Sequence, residues 1–357
     1  MSININKPLV SVCIPAYNAG QTIGKTLDSI INQNYPNFEI IVSDNHSTDN
    51  TAEIVNQYQK CKVKYFLNPV RPDNLINTSA VVSNFNYAIS LAKGEFIAIY
   101  HADDIYLPTI IEQQVLFFQE NESVGSVFTS SNLIDEDDNV LNIKIGDIPN
   151  EIKDEKVINF HTLLNSIILS EYHLMFPTLM IRSNALIEVG NFNPKESYVS
   201  DIEYYLRLAQ WKPIGLIDQI LHNYRSFVGL EKNSLEKKTE IIKHYIRFIE
   251  EYINSPEIYS EIDSLNLKYY KMLLCSRKVF LARQYFLQNK IKDARKLLES
   301  FKFEYILLSI KKKNGLQAMF LGLLLKVSDN FRLAKIVSIL IEKMRHFRYI
   351  LWHKSLY

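Results

Sequence analysis

Glycine is scarce in this chain: ten residues among 357. None falls in a G-x-G-x-x-G or G-x-x-x-x-G-K-[ST] pattern, so a dinucleotide fold and a P-loop NTPase are both disfavoured. Cysteine is scarcer still. Cys13, Cys61 and Cys275 show no metal-ligand spacing and cannot all pair within one chain, which indicates buried thiols in a reducing compartment. The opening "MSININKPLV" lacks the charged-then-apolar pattern of a secretory leader, so a cytoplasmic location is expected. The longest apolar run near the C-terminus, Leu316–Leu325, is too short to span a bilayer.

What the chain does have is globular composition, 47% hydrophobic and 22% charged, enough for one large core and a smaller unit. Net charge is only +1, but it is divided unevenly. Leu235–Tyr357 holds 24 Lys and Arg against 12 Asp and Glu, so a basic C-terminal part follows an acidic N-terminal one.

Apolar, β-branched runs alternate with amphipathic stretches every 20–30 residues or so. "LVSVCIP", "FEIIVSD", "VKYFLN", "EFIAIY" and "VGSVFTSS" read as strands, with helices between them. One of these helices lies around Val81–Leu91, with Gly94 expected as its C-terminal stop. This alternation predicts an α/β fold with a mostly parallel central sheet. Ligands in such sheets bind beyond the carboxyl ends of the strands. Two of the strands end there in acids: Asp44, and the pair Asp103–Asp104 in "AIYHADDIYLP". One Asp suffices to end a strand or cap a helix. Two adjacent carboxylates repel, and a bound divalent cation with oxygen ligands offsets that repulsion.

Four segments, in order, then resemble the family 2 glycosyltransferases, inverting enzymes of the GT-A fold. "VSVCIPAYNAGQTIGKTLDSIINQNYPNFEIIVSDNHSTDNT" resembles their opening, and "AKGEFIAIYHADDIYLP" their metal-binding segment. "FPTLMIRSNALIEVGNFNP" is similar to their acceptor-side segment, and "SDIEYYLRLA" to the segment bearing the base. The resemblance covers about the first 230 residues. It implies a GT-A catalytic domain over 1–230, with a donor part (1–131) and an acceptor and base part (132–230), followed by a helical basic region (231–357). It implies Pro15, Ala16, Tyr17, Asp44, Asn84, Ala102, Asp103 and Arg225 in nucleotide-sugar binding. Asp103 and Asp104 would bind Mn or Mg, and Asp201 would be the general base. The donor would be a nucleoside diphosphate sugar, most simply a UDP-sugar, and the acceptor a hydroxyl of a growing glycan or lipid-linked glycan of the cell envelope.

The chain departs from that pattern at two places. His101 stands where many relatives have an acid, as a metal ligand or as a packed strand-end residue. Ser200 stands where relatives often have Glu before the base, which leaves Glu203 as a conceivable substitute.

Plainer readings accompany several of these residues. Ser200 or Asp201 caps a helix; Asn84 lies on a solvated helix face; Arg71 is an exposed loop arginine rather than a phosphate contact; Arg225 orders a loop rather than reaching the diphosphate. The acidic cluster Asp135–Asp138 reads as a solvated turn.

Residues 301–357 carry 11 basic and 3 acidic residues among many Leu, Ile and Phe. That composition suits peripheral contact with the inner face of the cytoplasmic membrane, or a homodimer interface. Nothing reads as a nucleic-acid module. The rival functions are a nucleotidyltransferase, which would want a basic residue in the loop "PAYNAG", and a non-catalytic nucleotide-binding or scaffold protein.

Overall fold

The computed structural model describes residues 7–71, 79–146, 148–149, 152–170, 174–196, 198–226 and 235–299. The chain divides into two compact units between Glu231 and Lys232.

The first unit follows the alternation in the sequence. Its elements are β1 (Val10–Ala16), α1 (Ile23–Ile31), β2 (Phe38–Asp44), α2 (Thr51–Gln57), β3 (Val63–Leu67), α3 (Ser79–Ser90), β4 (Phe96–Ile99), β5 (Ile105–Tyr106), α4 (Ile110–Glu120), β6 (Ser126–Ile134), β7 (Val140–Ile145), β8 (Val157–Ile158), α5 (Phe160–Ser170), β9 (Leu179–Arg182), α6 (Ala185–Glu188), α7 (Ser200–Trp211) and β10 (Ile214–Arg225). One sheet runs β3-β2-β1-β4-β9-β6-β10-β5, with β7 paired to β6 and β8 to β10.

The first four strands in that order, β3-β2-β1-β4, are all parallel. Beyond β4 the sheet is mixed. β9 runs antiparallel to both β4 and β6, β10 is parallel to β6, and β5, β7 and β8 pair antiparallel. The parallel strands are covered on both faces, as their near-continuous apolar runs require. On one face Val10, Val12 and Ile14 of β1 join Ile23, Leu27 and Ile30 of α1 and Val55 of α2 in a single core. On the other, the Cys13 thiol lies 3.4 Å from the Ala88 carbonyl of α3. Burial there pushes the thiol well above its ordinary pKa, so it is an inert core group.

Register fixes the rim. Ala16, the last residue of β1, sits opposite Asp44, the last of β2. β4 pairs with β1 up to Cys13–Ile99, and the Tyr100 amide then donates to the Cys13 carbonyl at 3.0 Å. The carboxyl ends of β1, β2 and β4 therefore lie side by side. Asp44 and the segment carrying Asp103 and Asp104 share one edge of the sheet.

Gly94 has a different job from the expected helix stop. A Cβ there would come within 2.6 Å of the Ser11 nitrogen and the Phe96 carbonyl oxygen, and within 2.7 Å of the Leu9 oxygen. The Gly94 amide donates to Ser11 Oγ at 2.8 Å. The glycine is needed so that the turn into β4 can lie against the start of β1.

The second unit contains α8 (Leu235–Ile253), α9 (Pro256–Tyr259), α10 (Ser264–Leu287) and α11 (Ile291–Glu299). Ile246, Ile249 and Ile253 of α8 and Met272, Val279, Ala282 and Phe286 of α10 are buried. Lys278 pairs with Glu250 at 2.7 Å between α10 and α8. No helix among the described residues is long and apolar enough to cross a membrane. The basic segment 301–357 lies outside the described residues.

Gly94→Ala is expected to lose about 2–3 kcal/mol, because the atoms it meets are backbone and cannot swing away. Denaturant unfolding of the variant against wild type measures this.

Candidate active site

The segment after β4 leaves the sheet at Tyr100 and re-enters at β5, and everything between is held from two sides. Just before α1, Thr22 Oγ1 donates to the Ala102 carbonyl at 3.0 Å. Thr26 Oγ1 lies 3.1 Å from that carbonyl and 2.7 Å from the Asp104 carbonyl. The Tyr106 amide donates to Ser29 Oγ at 3.1 Å.

From β10, the Arg225 amide donates to Asp104 Oδ1 at 2.8 Å, and its guanidinium Nε donates to the Asp103 carbonyl at 2.7 Å. His222 Nε2 stands 3.1 Å from Asp104 Oδ2. Ser131 Oγ of β6 lies 2.7 Å from the other nitrogen of that ring. Asp104, His222 and Ser131 are each 0% exposed. Tyr106 packs beside them, its ring 4.9 Å from that of His222 and stacked 3.9 Å from Tyr100. The Tyr106 hydroxyl accepts from the His101 amide at 2.7 Å and donates to the Pro177 carbonyl.

These surroundings separate the two acids. Burial and the neighbouring Asp104 charge raise the Asp103 carboxyl above the usual carboxylate range. Burial alone would raise Asp104 too, but His222, His101 and the Arg225 amide outweigh it and hold Asp104 below that range. Asp104 is the settled anion of the pair. Ligand atoms of His101, Asp103 and Asp104 lie within 4.8 Å of one another. His101 Nε2 is buried without a hydrogen-bond partner. Two carboxylates and an open imidazole nitrogen in one small volume fit a divalent cation, because its charge offsets the repulsion that raises Asp103.

Along the rim, Asp44 is 1% exposed. Its Oδ1 accepts from the Ser47 amide at 3.0 Å and the Ser47 hydroxyl at 2.6 Å, and its Oδ2 from the Tyr65 hydroxyl at 2.6 Å. Pro15 is half-buried and Ala16 buried at the end of β1, while Tyr17 just beyond is 58% exposed. Ala102 is buried and shows α1 its carbonyl.

Two expected donor contacts are otherwise engaged. Asn84 is buried rather than on a solvated face, and it donates to the carbonyls of Ala16 and Ser43. It is a brace between the ends of β1 and β2. Arg225 is 3% exposed; its guanidinium donates to the Asp103, Asp135 and Glu136 carbonyls and lies 2.5 Å from the Asp138 carboxylate, with Nη2 left without a hydrogen bond. It orders loops. The Asp135–Asp138 stretch is accordingly more than a solvated turn, since Asp138 bridges Arg225 and Lys25 of α1. Arg71 is exposed, as its plainer reading had it.

Asp201 lies half-buried in the first turn of α7, its carboxylate 2.8 Å from the Ile202 amide. The N-cap position is Val199, without a side-chain cap, so Asp201 does not serve as the cap. Glu203 is not available as a substitute base. It is buried and paired with Arg207, at 2.5 and 2.8 Å. Aromatic contacts tie α7 to the acid segment. Tyr204 packs 3.9 Å from Phe192, Phe192 lies 5.6 Å from both Phe85 and Phe176, and each of those rings lies 5.9 Å from His101.

Known proteins resemble this chain in sequence and in fold. The model of glycosyl transferase family 2 matches residues 11–189. The chain belongs to glycosyl transferase family 2. An uncharacterized glycosyltransferase of Methanocaldococcus jannaschii is 30% identical over 62% of this chain and 72% of its own length. A UDP-Glc:alpha-D-GlcNAc-diphosphoundecaprenol beta-1,3-glucosyltransferase of Escherichia coli is 37% identical over 37% of this chain. The hyaluronan synthase of Pasteurella multocida is 28% identical over 67% of it. The chain spans only 49% and 23% of those last two proteins. Among solved structures, S. aureus TarS 1–349 in complex with UDP superposes with a TM-score of 0.58 at 18% identity, covering 94% of this chain and 91% of that one. The fold of this family 2 member is thus GT-A, as its sequence motifs imply.

His222, Ser131 and Tyr65 were not foreseen. His222 sits in "ILHNYR", and a histidine inside a buried strand is a weak hint. Nothing in its spacing announces a meeting with Asp104. Removing it leaves a buried carboxylate unpaired, so His222→Ala is expected to lose about 3 kcal/mol. In a double-mutant cycle with Asp104→Asn the losses should fall short of additive, as read from denaturant unfolding.

Proposed function

We propose that this protein is an inverting, metal-dependent glycosyltransferase. It would move a sugar from a nucleoside diphosphate donor, a UDP-sugar, to a hydroxyl of a growing glycan of the lipopolysaccharide, capsule or exopolysaccharide type. The observation that carries this reading is the clamped segment His101–Asp104 on the same sheet edge as Asp44. The donor part would be 1–131 and the acceptor and base part 132–230, with the remainder a helical arm.

The base end of the donor would lie along Pro15, Ala16 and Tyr17. Asp44, kept as an acceptor by the Ser47 and Tyr65 donors, would take an N–H from the uracil ring. The diphosphate would meet the acid segment at Ala102 and Asp103. Asp103 and Asp104 would hold the cation, Mn2+ or Mg2+. Asp104 Oδ1 is held by the Arg225 amide while its Oδ2 accepts no hydrogen bond, so Asp104 would anchor the segment and offer that second oxygen. When bound, the cation offsets the negative charge that builds on the leaving diphosphate. Asp201 would take the proton from the attacking acceptor hydroxyl. A single displacement needs one such base, and it inverts the anomeric centre.

The UDP and UDP-GlcNAc held by TarS, and the GDP-Man and Mn2+ held by the Pyrobaculum calidifontis mannosyltransferase, lend support to a nucleotide-sugar donor and a divalent cation. The Escherichia coli relative's lipid-linked acceptor lends support to a glycan built at the inner face of the cytoplasmic membrane. Contact with that face would be made by 301–357.

Asp201→Asn is expected to reduce kcat about 100- to 10,000-fold while leaving UDP binding within a fewfold of wild type. Calorimetry and a screen of UDP-sugars read the two effects. A variant that still performs the protein's cellular role would point to a scaffold instead.

A further inference from the structure

The acid segment brings three ligating side chains together, and they are held to different degrees. Asp104 is the most constrained. One of its oxygens takes the Arg225 amide at 2.8 Å, and the other lies 3.1 Å from His222, whose ring is fixed by Ser131 at 2.7 Å, but accepts no hydrogen bond. Asp103 is different: its carboxylate is engaged by its own backbone amide alone, while its carbonyl is pinned by Arg225. His101 has a buried Nε2 without a hydrogen-bond partner, and its Nδ1 lies 4.0 Å from Asp104 Oδ2. Phe85 and Phe176 flank its ring, each 5.9 Å away, and Tyr106 holds its backbone amide. Aromatic rings on two sides fix the position of the imidazole beside the two carboxylates.

We propose that His101 is a metal ligand and sets the cation preference of this site. The donor set offered to the cation is then carboxylate oxygen, from Asp103 and Asp104 Oδ2, and one imidazole nitrogen, from His101. Phosphate oxygens or water complete the shell. Carboxylates alone suit Mg2+ and Ca2+. An imidazole shifts the balance toward Co2+, Ni2+ and Zn2+, with Mn2+ between. The inference rests on the reading of this segment as the metal site of a glycosyltransferase, and it adds to that reading the role of one residue, His101.

The test is titration of Co2+ and of Mg2+ into the protein, with and without UDP, for wild type and His101→Asp. Calorimetry and the visible absorption of bound Co2+ are the readouts. Wild type should show the absorption of a nitrogen-ligated Co2+. In His101→Asp that spectrum should be lost, and the ratio of Co2+ to Mg2+ affinity should fall by about tenfold or more. Thermal unfolding checks that the variant is folded, and His101→Gln serves if it is not, with the same loss expected.

An unchanged spectrum and affinity ratio in a folded variant would overturn the proposal. So would the absence of Co2+ binding by wild type in either condition. If UDP fails to bind while Co2+ still reports an imidazole ligand, the donor reading falls and the assignment of His101 stands.

Discussion

Two adjacent carboxylates must be held in a buried corner where their mutual repulsion is poorly screened, and the first unit is organised around holding them. At an effective dielectric near 20, like charges about 4 Å apart repel by roughly 4 kcal/mol. The protein meets this unequally. Asp104 receives the Arg225 amide and His222, and stays ionised. Burial and the Asp104 charge leave the Asp103 carboxyl above the usual carboxylate range. The result is one anchored anion beside a second carboxylate whose repulsion a bound cation would relieve. Thr22 and Thr26 hold the backbone of the same segment, so the geometry is set before any ligand arrives.

That segment can be clamped only because of the sheet order. β10 is separated from β4 by β9 and β6, yet its far end pairs with β5, which follows the acids directly in the chain. His222 sits opposite Tyr106 in that pairing, and Ser131 opposite His222 in the next. The mixed half of the sheet therefore folds back to support the parallel half at its carboxyl edge. A second connection runs through aromatic rings from His101 to Tyr204, three residues after Asp201 on α7. The candidate cation site and the candidate base are thus parts of one packed structure. Ring contacts of this kind tolerate little displacement.

Much of this was legible in the sequence. The parallel strands β1, β2 and β4 announce themselves because both faces are covered, which leaves uninterrupted apolar runs. The acids at their ends stand out against those runs. The motif segments carried the family and the GT-A fold. What could not be read was long-range partnership. Arg225 and Asn84 were visible as polar residues in the right neighbourhood, but their donors could be counted only once their partners were in place. Gly94 looked like a helix stop because glycine often is one, whereas its reason is a close backbone approach to β1. Glu203 looked available until Arg207, one turn later, claimed it. His222 gave the least warning, since a partner far away in the chain and oriented by a third strand leaves no local pattern.

The clamped acid segment and Asp44 would together take a nucleoside diphosphate and a divalent cation. Calorimetric titration of UDP, with and without Mn2+, into wild type and Asp103→Asn tests this most directly. Binding strengthened by Mn2+ is expected in wild type, and a loss of that strengthening in the variant, with weak metal-free binding kept. UDP that fails to bind wild type, or binds the variant with the same response to Mn2+, would contradict it.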